Sequence, residues 1–130
     1  MQVKIDTKEK FHVITIQDSI LTANMTAELE NSLSLYLQNG VKNVILNLEA
    51  VIELDLPAAE SIIKVQQSYY EHSASFVICS IQPKVEEFLD QQQLLEIMSA
   101  TPTESEAWDI VQMEEIEREL LDDDEPSFNE

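Results

Sequence analysis

Side chains able to carry nucleophilic, acid–base or metal chemistry are few in this chain and far apart. Two histidines, His12 and His72, and one cysteine, Cys79, are its whole supply of imidazole and thiol. Covalent catalysis needs a nucleophile beside a base. Acid–base work needs carboxylates whose environments split their pKa values, and metal chemistry needs ligands at fixed spacing. His12 stands between Phe11 and Val13, out of phase with both, so a strand there turns it to solvent. His72, in Glu71-His72-Ser73, reads as a loop residue near a helix C-terminus, where a cation is mildly favoured. Cys79 lies in an apolar run with no basic neighbour to lower its pKa, and reads as a buried structural thiol. No Cys/His spacing approaches a zinc motif. The run Asp122-Asp123-Asp124-Glu125 lacks the alternating ligands and central glycine of a calcium loop, and reads as a solvated tail. Gly40 is the only glycine, so neither a Walker-type nor a dinucleotide-binding loop has a place. The expectation is a non-enzyme with no cofactor and no metal.

The elements that position these residues follow from hydrophobic period. Val3 and Ile5, then Phe11, Val13 and Ile16, predict two opening strands joined by Thr7-Lys8-Glu9-Lys10. Met25, Leu29, Leu33 and Tyr36 share one helical face, with Asn24 placed to cap the start and Gly40 to follow the end. Val44-Ile45-Leu46-Asn47-Leu48 and Phe76-Val77-Ile78-Cys79-Ser80-Ile81 read as strands covered on both faces. Between them Ala58/Ala59, Ile62/Ile63 and Tyr69/Tyr70 line a helix. Pro83 opens a shorter helix with Val85, Phe88 and Leu89 inward. Thr101-Pro102-Thr103-Glu104 then combines a capping threonine, a first-turn proline and a reciprocal glutamate, starting a helix through Ala107, Ile110/Val111, Met113, Ile116 and Leu120. This order predicts an α/β fold, a small mixed sheet with parallel central strands covered by about four helices.

A chain of 130 residues that is 44% hydrophobic is one domain of ordinary size with enough apolar side chains for a core. Seven basic against 26 acidic residues give a net charge of −19, which repels phosphate backbones and anionic lipid headgroups. Nucleic acid and membrane insertion are therefore not expected partners. No apolar run reaches the ~18 residues of a membrane span, and the opening Met1–Asp6 does not read as a signal peptide. A lone cysteine forms no internal disulfide, so a reducing, cytoplasmic setting is expected. Residues 1–100 carry 6 basic and 14 acidic side chains, a balance of −8; residues 101–130 carry 1 and 12, a balance of −11. Residues 1–116 are expected to form the domain and 117–130 an acidic, disordered extension, dispensable for folding from about Asp122 onward.

The segment from Val44 to Ile63 carries a motif. Asn47-Leu48 and Val51 are similar to the strand end and turn of the STAS family, named for sulfate transporters and anti-sigma factor antagonists. Asp55 resembles the aspartate of that family's Asp-Ser-Ser/Thr-Gly helix start, and Leu21-Thr22-Ala23-Asn24 its Leu-x-x-Asn entry into the first helix. The order of elements agrees over roughly residues 1–116. The resemblance implies a bacterial protein–protein switch component in transcription regulation, docking on a kinase-like anti-sigma factor through Asn24, Asp55, Leu56, Pro57, Ala58 and Ser61.

Departures from the motif bear on mechanism. The family's phosphorylated serine follows the motif aspartate, and here that position is Leu56, with Pro57 and Ala58 beyond it. Leucine has no hydroxyl, so no phosphate can be placed there, and the roughly two negative charges that reverse local electrostatics are lost. Asn47 replaces an acidic residue, removing a charge beside the site. Pro57 suits a helical first turn and pushes Leu56 out of helical conformation. Beside these readings, Asp55 can be only a helix N-terminal charge, and Leu56 and Ile52 read more readily as core than as a contact patch. Ser61 reads as an ordinary helix serine rather than a displaced phosphoacceptor, and Trp108 as a helix–sheet packing residue. A STAS subunit of a lipid-transport ATPase or signalling scaffold, a small-molecule or nucleotide-binding module, and a homodimer all stay open.

Overall fold

The computed structural model describes residues 1–128, with side chains described through Leu121. Five strands form the main sheet: β1 (Val3–Thr7), β2 (Phe11–Ile16), β4 (Asn43–Asn47), β6 (Phe76–Cys79) and β7 (Ala100–Thr101), in the order β1-β2-β4-β6-β7. β1 pairs antiparallel with β2, and every other pairing is parallel. A two-stranded parallel pair, β3 (Ile20–Leu21) with β5 (Glu53–Leu54), lies outside it. The helices are α1 (Thr26–Ser34), α2 (Leu56–Glu71), α3 (Pro83–Gln91) and α4 (Glu104–Phe128). The expected mixed sheet, parallel at its centre with four helices, is what the chain forms. β3, β5 and β7 are two residues each, too short for a periodic signal, and escaped the sequence reading.

Side-chain alternation splits the core. Ile14, Ile16, Val44, Leu46, Phe76 and Ile78 face α1, α2 and α3; Phe11, Val13, Ile45, Val77 and Cys79 face α4 through Ala107 and Val111. The parallel strands β4 and β6 are apolar toward both sides because both are covered. His12 corrects the solvent-facing expectation. It is buried, with Nδ1 2.9 Å from Thr7 Oγ1 and Nε2 2.9 Å from the Val41 carbonyl oxygen, and its ring lies against Tyr36. Both faces of β2 are covered, so opposite phase meant the other layer rather than water.

Helix ends explain further differences. Asn24 does not cap α1: the chain enters through a 3-10 turn, Ala23–Met25, whose preceding residue Thr22 gives no side-chain cap either. The threonine cap of α4 lies two residues later than expected, and its glutamate pairs with the threonine hydroxyl in place of the backbone N–H. Thr103 Oγ1 accepts from the Glu106 backbone N–H at 3.2 Å and donates to the Glu106 carboxylate at 2.9 Å, leaving Pro102 ahead of the helix. With glycine scarce, Ser73 (φ 59°) and Gln93 (φ 61°) take the left-handed positions that close α2 and α3. The bounds of α4 run past residue 117, where the acidic extension was expected to begin, and residues 129–130 lie outside the described residues.

Candidate functional site

The segment between β4 and α2 is stitched to the segment before α1 by backbone hydrogen bonds. Ile52 N–H donates to the Ser19 carbonyl at 2.8 Å and Asp55 N–H to the Leu21 carbonyl at 3.1 Å, on either side of the β3–β5 pair. Asp55 then secures the corner with both carboxylate oxygens. One accepts from Ala58 N–H at 3.0 Å, capping α2; the other accepts from Ala23 N–H at 2.9 Å, holding the turn that carries Asn24. The helix therefore begins at Leu56, with the extended backbone at Asp55 (φ −94°, ψ 173°) and not at Leu56 as Pro57 suggested. A side-chain cap supplies the start signal one residue earlier, and proline fits within the first turn.

Beside this corner lies a groove of about 460 Å³ between β5, the start of α2, and α3. Ile52, Leu54 and Leu56 form one wall; Lys84, Val85 and Phe88 on α3 form the other. Gln82, just before α3, fixes the second wall by donating from Nε2 to the Glu49 carbonyl at 2.6 Å. Leu56 is 37% exposed and Ile52 55%, so both are surface residues, which corrects the core reading. Leu54, Ala58 and Val85 already fill the space beneath them. Glu53, Asp55, Lys84 and Gln92 complete the lining, giving an apolar floor with both signs of charge around it. Such a groove accepts an apolar side chain from a partner and orients it by charge. Lys84 and Phe88 on α3 and Gln92 at its C-cap were not anticipated as site residues. Phe88 had been read as inward, and only its half-burial beside the fully covered Val85 and Leu89 separates wall from core.

The other expected site residues divide. Asn24 and Pro57 are exposed around the same corner. Ala58 is fully buried, and Ser61 is buried between α1 and α2, donating from Oγ to the Glu30 carboxylate at 2.9 Å. Asn47 does not stand beside the site: its amide donates to Glu104 on α4 at 3.2 Å, across the sheet from the groove. His72 is the C-cap of α2, its Nδ1 2.7 Å from the Ser68 carbonyl oxygen. Cys79 is fully buried, and burial above all pushes its thiol up to about 11, with Glu104 and Glu49 adding to the shift. Trp108 packs edge-on against Phe11 with ring centroids 5.1 Å apart, the helix–sheet role expected of it. Among the described residues no group of three or more His, Cys, Asp or Glu side chains is placed to hold a metal ion. No helix there is long and apolar enough to cross a membrane.

The STAS domain family model matches residues 2–107. No curated protein sequence matches the chain significantly. Among solved structures the fold is similar to a Thermotoga maritima protein described as an anti-sigma factor antagonist, with a TM-score of 0.71 and 20% identity over 85% of this chain and 94% of that one. It is also similar to an anti-sigma factor antagonist from Mycobacterium paratuberculosis, with a TM-score of 0.73 and 13% identity over 85% and 93%. A third is the Bacillus cell fate determinant SpoIIAA in its phosphorylated form, with a TM-score of 0.61 and 17% identity over 85% and 99%. At these identities the likeness is one of fold.

Proposed function

The chain belongs to the STAS domain family, and from that premise we propose that it is a non-catalytic docking domain that binds a kinase-like anti-sigma factor in a partner-switching pathway. The observation that carries the reading is the exposed apolar corner of Ile52 and Leu56 at the start of α2, held in place by Asp55 and facing the half-buried Phe88 of α3 across the groove. The resemblance of Asp55 to the family's motif aspartate supports reading position 56 as the phosphoacceptor position. A kinase-type partner would meet leucine at position 56 and find no oxygen to which a phosphoryl group can be transferred. Ser61 is no substitute. Its hydroxyl is buried and already donated to Glu30, whose carboxylate would repel a phosphate. Association at this surface is therefore insensitive to ATP-dependent modification, and release depends on competition or on another component.

The test is to mix the purified chain with kinase-type anti-sigma factors from its own source, with and without ATP. The complex should persist in ATP, with no phosphate on any tryptic peptide. Phosphate at Ser61 together with dissociation of the complex would refute the reading. So would the absence of any complex at micromolar concentrations.

A further inference from the structure

Helix α4 is amphipathic in the reverse of the usual sense. Ala107 and Val111 pack on the sheet, but beyond Val111 the inward side is polar. Glu114 accepts from Tyr70 Oη at 2.9 Å and from Ser75 Oγ. Glu115 accepts from Asn43 Nδ2 at 2.6 Å. Arg118 Nη2 donates to Ser75 Oγ at 2.8 Å and to Asn43 Oδ1 at 3.2 Å. These clamps fix the helix rotation and turn its apolar residues outward. Met113 is 57% exposed, Ile116 56% and Leu120 56%. At about 100° per residue the three fall within roughly 60° of one another, directly opposite the packed side. An apolar stripe on a helix that already has a packed face is not needed for folding.

We propose that this outer face of α4 docks a basic amphipathic helix of a second protein partner, independently of the groove beside Leu56. Charge selects the occupant. Asp109 and Glu117 are exposed around the stripe, Glu119 is exposed there with Lys10 Nζ 3.7 Å from its carboxylate, and Arg118, the one cation of residues 104–121, is turned inward to Asn43 and Ser75. A second copy of this chain would bring two acidic rims together, which like-charge repulsion disfavours. An anionic membrane surface is repelled for the same reason. A helix with apolar residues at three- and four-residue spacing, flanked by lysine or arginine, satisfies both the stripe and its rim. The stripe lies beyond residue 107, where the family match ends, and across the sheet from α1, α2 and α3. Both surfaces can therefore be occupied at once.

The probe is a synthetic helical peptide with leucines on one face and lysines on the other, beside a scrambled peptide of the same composition. Both are titrated into the 15N-labelled full chain at physiological salt. Shift changes should concentrate in residues 109–121, with the scrambled peptide binding at least tenfold more weakly. Ile116→Ser with Leu120→Ser should weaken the ordered peptide about tenfold, with the melting temperature lowered by only a few degrees because both side chains are mostly exposed. Leu56→Glu should leave peptide binding intact, which separates this surface from the groove. Equal binding of the two peptides would overturn the proposal, as would shifts spread over other acidic surfaces. Self-association lost in the double variant would assign the stripe to a second copy, and tighter binding to anionic vesicles than to the peptide would assign it to lipid; either also overturns it.

Discussion

Among the described residues, three helices and one face of the sheet share a cluster of 22 buried residues running from Ile14 to Met98; on the other face, α4 and the sheet share a cluster of seven. The first layer is mainly apolar, with α2 contributing Ala58, Ala59, Ile62, Ile63, Val65 and Tyr69, and its buried polar side chains Ser61 and Gln66 are hydrogen-bonded to Glu30 and to the Phe76 carbonyl. The second is apolar only at its centre. It is fastened at one end by Asn47 to Glu104, and at the other by Asn43 and Ser75 to Glu114, Glu115 and Arg118. Hydrophobic burial scales with area and lacks direction, whereas hydrogen bonds to fixed partners set a rotation. The three-helix side therefore supplies most of the stability and a rigid base for the Leu56 corner. The α4 side holds a helix in one orientation while leaving an apolar stripe uncovered.

Core substitutions should separate the two faces most widely. Leu46→Ala, on the three-helix side, is expected to cost about 3–4 kcal/mol, and Val111→Ala, beneath α4, about 1–2 kcal/mol. Urea midpoints for the two variants measure this, and equal losses would break the asymmetry. The α4 side should also carry a pH dependence. The Cys79 thiol is raised from 9.0 to about 11, chiefly by burial, so its contribution is fully present below pH 9 and is lost as pH rises toward 11, where the unfolded thiol ionises first. Two pKa units correspond to about 2–3 kcal/mol. Cys79→Ala should flatten the stability profile over that interval by this amount relative to wild type, and parallel profiles would contradict it. Removing the corner's anchor by Asp55→Ala should cost about 1–2 kcal/mol in thermal denaturation, because two backbone donors lose their acceptor, while Asp55→Asn should retain part of it. The smallest effect has the opposite sign. Gln93→Gly relieves a left-handed conformation at the end of α3 and should raise stability by up to about 1 kcal/mol. A loss there would mean that the Gln93 side chain contributes to packing.

The layered α/β order was legible because the long elements carry clear periods, and because Pro83 and the threonine–glutamate pair punctuate the helices. His12 was misread since a strand covered on both faces has no solvent phase, and the alternation that exposes a residue on an edge strand only moves it to the second layer here. The position of the candidate site was legible through Asp55, whose spacing from the buried strand marks a helix start. Its second wall was not. Lys84 and Phe88 reach the groove through the crossing of α3, which depends on tertiary packing and on Gln82 bonding to the Glu49 carbonyl. The family resemblance placed Asn47 beside the site, but strand alternation turns it toward α4. The outward stripe of α4 was overlooked for a different reason: Met113, Ile116 and Leu120 read in sequence as one apolar series with Ala107 and Val111, although at about 100° per residue they fall on the opposite side of the helix, and the polar clamps fix which side faces the sheet.

The most direct test of the docking surface is affinity capture from the native lysate with wild-type and Leu56→Glu baits, the captured proteins being identified by mass spectrometry. Leu56 packs at the rim of the groove and not in the core, so the variant should fold with an unchanged melting temperature. An ATPase-type anti-sigma factor recovered by the wild-type chain and lost with Leu56→Glu is the predicted result. Equal recovery of that protein with both baits, or recovery of a transporter ATPase in its place, would contradict the account.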